Sequence, residues 1–105
     1  MIARVWHGWT TPENADTYEN ILNNEVIPLI ESYNMDGYKE IQVLKREHPS
    51  EVEFITIMLF DSLDKIKQFV GEDYEVAHVP KAAQKVLKRY DSHSQHYEIR
   101  NSYKY

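Results

Sequence analysis

Three observations on this sequence predict an α+β fold, an antiparallel sheet with two helices on one face. Apolar residues recur with a two-residue period in four places. They recur every three or four residues in two long stretches between those places. The order along the chain is strand, helix, strand, strand, helix, strand. A period of two sends side chains alternately to the two faces of a sheet, and a period of three to four gathers them on one side of a helix.

The first strand spans Ile2 to Trp9. Ala3, Val5, His7 and Trp9 share one face; Ile2, Arg4, Trp6 and Gly8 share the other. Thr10 to Glu13 then read as a helix start. Thr11 can cap, and Pro12 at the first helical position loses no N–H that the helix needs. Ala15, Tyr18, Leu22, Val26, Leu29 and Tyr33 form an amphipathic stripe. Pro28 removes the hydrogen bond to the Asn24 carbonyl and is expected to kink or interrupt the helix. Asn34 to Gly37 end it.

Tyr38 to Glu47 alternates weakly, and His48, Pro49, Ser50 and Glu51 read as a turn into the next strand. Val52 to Phe60 is the strongest strand signal. Val52, Phe54, Thr56, Met58 and Phe60 lie on one face, and Ile55, Ile57 and Leu59 on the other, as in a central strand covered on both sides. Asp61 or Ser62 caps a helix whose Leu63, Ile66, Phe69 and Val70 point inward, and Gly71 stops it. Glu72 to Tyr90 is expected to be a second helical stretch, divided by Pro80 and carrying a lone His78. His93 to Arg100 reads as the last strand.

This order is the split βαβ, or ferredoxin-like, arrangement, with four antiparallel strands. Its strands are apolar on both sides, so the face without helices needs cover. A second copy packed face to face supplies it, which predicts a homodimer.

The 105 residues suit one domain spanning the whole chain. The net charge of −5, with no basic stripe, argues against nucleic acid as a partner. The absence of cysteine excludes disulfides and thiolate chemistry. No stretch approaches the roughly 20 apolar residues of a membrane span, and MIARVWHGW lacks the features of a signal peptide. A cytoplasmic protein is expected. With only three glycines, no nucleophile elbow, phosphate loop or dinucleotide fingerprint is present.

His78 is the candidate for chemistry, because an imidazole can both accept and donate a proton under physiological conditions. The bland alternative is a surface or pocket-lining histidine. Trp6 points opposite to His7 and Trp9, so the aromatics of the first strand divide between two faces. Core and interface packing is their simpler role. His93 and His96 are an odd number apart and cannot chelate one metal from a strand; no metal site is expected.

The chain resembles the dimeric α+β barrel superfamily and, within it, the antibiotic biosynthesis monooxygenase-like proteins. The residues that carry the likeness are IARVWHGW, TTPENADTYE, the junction FITIMLFDSLDKIKQF with Phe60 and Ser62, and Ala77-His78 in EVAHVP. The resemblance implies a homodimer with a pocket between sheet and helices in each subunit. It implies a monooxygenase that oxidises an aromatic or quinol-type molecule with dioxygen and no cofactor. His78 would be the base, and Trp6, Trp9, Phe60 and Tyr97 would shape the substrate pocket. Two other readings stand beside it: a non-catalytic dimeric ligand-binding or structural protein, and a haem-binding protein with His78 as axial ligand. Haem-cleaving members pair such a His with a Trp from the third strand and an Asn from the first. Here Phe60 stands in the Trp place and the first strand has no Asn.

Overall fold

In the computed structural model, which describes residues 1–105, five strands form one antiparallel sheet. They are β1 (Ile2–Thr10), β2 (Tyr38–Glu47), β3 (Val52–Phe60), β4 (Arg89–Tyr90) and β5 (Gln95–Glu98). The order is β2-β3-β1, with β4 and β5 both beside β1. The fourth strand expected over His93 to Arg100 is shortened to β5, and β4 lies at the end of the stretch expected to be helical. Asp91 to Ser94 bulge out between them, opposite only Trp6 and His7. The β2–β3 hairpin matches the expected bounds, and its register runs from Tyr38↔Phe60 to Glu47↔Val52 with one irregularity near Lys39.

The first helical region has three parts: α1 (Ala15–Ile21), a π turn (Leu22–Val26) and α2 (Ile27–Ser32). A short 3₁₀ turn, Pro12–Asn14, precedes it, and Thr11 makes no side-chain cap there. The π turn sits just ahead of Pro28, which has no N–H to return to the Asn24 carbonyl. Instead the Ile27 N–H donates to Leu22, one residue further back than in an α-helix. Asn34 leaves the helix with a φ of 48°. α3 (Leu63–Val70) starts as expected: the Lys65 N–H donates to the Ser62 hydroxyl at 3.4 Å. Gly71 ends it with a φ of 92°, a conformation that suits a residue without Cβ.

The long helix expected over 72–90 does not form. Only one turn, α4 (Lys81–Gln84), is helical. Val76 pairs with His93, the Ala77 N–H donates to Ser92, and the Ser94 N–H donates to Glu75. These long-range bonds tie residues 75–77 to residues 92–94. Pro80 adds to this by disfavouring helix at Val79.

The helices cover the sheet face that carries Phe54 and Phe60. One core cluster joins Ala15, Tyr18, Leu22, Val52, Phe54 and Ala83; the other joins Met58, Phe60 and Ile66. Phe54 and Phe60 are wholly buried, and each such burial stabilises by about 1.5–3 kcal/mol. Tyr18 meets Phe54 edge to face, ring centroids 4.9 Å apart. The opposite face carries Ala3, Val5, Ile55, Ile57 and Leu59 in adjacent register, none of them in either cluster.

Candidate active site

A cavity lies between the sheet and its helical layer. Arg4 and Trp6 of β1, Ile41 of β2, and Thr56 and Met58 of β3 form its floor. Tyr18, Leu22, Val26 and Ile30 form one wall. These four are spaced by four residues, and in a regular α-helix each such step drifts by about 40°. The π turn between them turns less per residue and keeps the row aimed at the cavity. Phe69 and Val70 of α3 form a second wall, and residues 77–80 with Ala83 form the third.

The inner chamber measures about 110 Å³. It continues into an outer groove of about 550 Å³ bounded by Leu29, Tyr33, Met35 and Gln68. Val26, Ile30, Phe69, Val70, His78 and Pro80 border both spaces. His78 therefore stands at the mouth, on an exposed, irregular segment and not on a helix.

Trp6 is fixed from two sides. Its indole N–H donates to the Asp91 carbonyl at 2.9 Å, so the bulge between β4 and β5 holds it. Gly8, on the same face, leaves room for the ring.

Arg4 is a charge that the sequence reading passed over. It is 6% exposed. Nη1 donates to the Tyr74 carbonyl and to His96 Nε2, the latter at 2.9 Å, and Nη2 donates to the Val76 carbonyl at 3.3 Å. Arginine can only donate, so His96 Nε2 accepts and the ring is neutral, with its proton on Nδ1. Nδ1 is buried without a partner. Burial lowers the His96 pKa, and the neighbouring Arg4 charge lowers it further, against a weaker upward pull from Glu75. Burial also pushes the Tyr18 hydroxyl well above its ordinary value, so it stays a neutral donor. Arg4 and Ser94 were not among the sequence candidates. The signal available for Arg4 was its alternation with Trp6 in the middle of an apolar strand.

Of the sequence candidates, Trp6 and His78 come together at the cavity. The other three lie elsewhere. Trp9 is on the opposite sheet face, under the Arg89 guanidinium at 3.8 Å and stacked on His7. Phe60 is wholly buried in the core between Tyr38 and Phe69. Tyr97 is 57% exposed and borders a separate shallow groove with Ile2 and Glu98.

No helix is long and apolar enough to cross a membrane. No protein-family model matches the chain, and no curated protein matches it. Among solved structures it is similar to a Bacillus cereus protein provisionally named an antibiotic biosynthesis monooxygenase. The TM-score is 0.72 at 13% identity, over 100% of this chain and 96% of that one. So low an identity speaks to fold. In fold, and over its whole length, the chain is similar to that protein, with the ferredoxin-like α+β arrangement of an antiparallel sheet under helices.

Proposed function

We propose that the chain is a cofactor-independent monooxygenase acting on a small aromatic or quinol-type molecule held in the cavity beneath His78. The observation that carries this reading is the combination of an apolar, two-part cavity with an imidazole at its mouth. His78 takes the phenol proton. The electron-rich anion forms a C–O bond to dioxygen at its para carbon, the proton on that carbon leaves, and the O–O bond breaks with loss of water. The product is a quinone, and the substrate supplies all the electrons, so no reductant is needed. Trp6, Met58 and Phe69 keep bulk water from the anion. The test is dioxygen uptake with 1-naphthol, which this chemistry converts to 1,4-naphthoquinone and water.

A second reading, binding without chemistry, is favoured by the exposure of His78, since a general base is usually oriented by a partner. It predicts naphthol binding with no oxygen uptake.

The working unit in this proposal is a homodimer formed through the uncovered sheet face. Ala3, Val5, Ile55, Ile57 and Leu59 make a contiguous apolar patch there, extended by the exposed Leu44 and Tyr97. Two such faces bury an interface of about 1,200–2,000 Å² when packed together. A cytoplasmic setting fits a chain without cysteine.

A further inference from the structure

The inner chamber is electrostatically one-sided. None of its seventeen lining residues is Asp or Glu, while Arg4, Tyr18, Thr56 and Ser94 bring hydrogen-bond donors to it. Arg4 is the only cation among them, and its three partners are two backbone carbonyls and a neutral imidazole. It takes part in none of the ion pairs of the chain. Glu75, near enough to act on His96, is exposed and does not pair with it. A largely buried arginine without a countercharge is costly, and buried charges are ordinarily paired.

The unused donors indicate what would pair it. Nη1 gives both hydrogens, to Tyr74 and His96, and Nη2 gives one, to Val76. Nε–H and one Nη2–H remain. Nε and Nη2 lie along one edge of the guanidinium, the edge that can grip a carboxylate through two parallel bonds. Ser94, 5% exposed, adds a hydroxyl to the same chamber.

We propose that the chamber binds an aromatic carboxylate, with the carboxylate on the free edge of Arg4 and the ring directed out toward His78. Size supports this orientation. A cavity of about 150 Å³ is known to accept benzene, whereas the inner chamber is about 110 Å³. It holds the carboxylate and the near edge of a ring, and the remainder of the ring occupies the outer groove of about 550 Å³ between Leu29 and Phe69. This inference rests on the cavity being the small-molecule site proposed above, and it narrows the substrate class to phenolic acids.

The test compares binding of 1-naphthoate and 1-naphthol to the intact protein, read by calorimetry and by the Arg4 Nε–H resonance. The expected result is that naphthoate binds at least tenfold more tightly and shifts that resonance. Arg4→Lys, which keeps the charge but loses the fork, is expected to reduce the preference to threefold or less. Because Arg4 also anchors residues 74 and 76, that variant is used only if its Tm stays near that of the wild type; the wild-type comparison stands without it. Equal or weaker binding of naphthoate, or tight binding that leaves the Arg4 resonance unmoved, overturns the inference. Naphthol binding without a preference for the acid, together with oxygen uptake, overturns this inference alone. No binding of either probe overturns the small-molecule reading as well.

Discussion

The indole of Trp6 occupies the space above Gly8: a Cβ at Gly8 would come within 2.6 Å of the ring's Cη2 and 3.1 Å of Leu87 Cδ2. The two residues are neighbours on the helix-facing side of β1, so the small one makes room for the large one beside the cavity.

Gly8→Ala is therefore expected to displace the Trp6 indole and weaken its bond to Asp91. Overpacking of this kind costs about 1–3 kcal/mol. Thermal unfolding should show a lower Tm, and near-ultraviolet circular dichroism an altered Trp signal. An unchanged spectrum and Tm would mean that the ring has another place to go.

His96 sets an expected pH dependence. Its folded pKa lies below the ordinary histidine value, mainly through burial and then through Arg4. The unfolded chain therefore takes up the proton first as pH falls, and stability is lost from about pH 6.5 down to the folded pKa. The Tm of the wild type should fall between pH 7.5 and 5.5. His96→Gln, which keeps an acceptor for Arg4, should fall less over the same interval. Parallel slopes in the two proteins would remove His96 as the source.

Ile57 pairs with Val5 on β1 and Gln42 on β2, on the sheet face away from both core clusters. Ile57→Asp should leave the fold intact and convert the proposed dimer to a monomer, because two carboxylates would meet an apolar patch at its interface. Light scattering at micromolar concentration reads the outcome. A variant that stays dimeric would show that assembly uses another surface.

Much of this fold was legible in local pattern. The two-sided apolar run Val52–Phe60, the Ser62 cap, the Gly71 stop and the disturbance at Pro28 all depend on neighbours in sequence. The stretch after Gly71 was not legible, because its helical spacing was overruled by partners far along the chain, Val76 with His93 and Ala77 with Ser92. The site suffered from a related ambiguity. Alternation placed Trp6 and Trp9 on opposite faces, but strands apolar on both sides do not say which face the helices take. Arg4 was passed over because a charged residue in a strand is usually solvated, whereas this one is buried against backbone carbonyls.

The central claim, oxidation in the cavity with His78 as the base, is tested most directly by dioxygen consumption with 1-naphthol in the wild type and in His78→Ala. The account predicts measurable uptake with formation of 1,4-naphthoquinone in the wild type. In the variant it predicts a fall of roughly 100-fold or more with little change in Tm, because the exposed imidazole borders a cavity and not a packed core. Full uptake in His78→Ala, or none in the wild type, would contradict it.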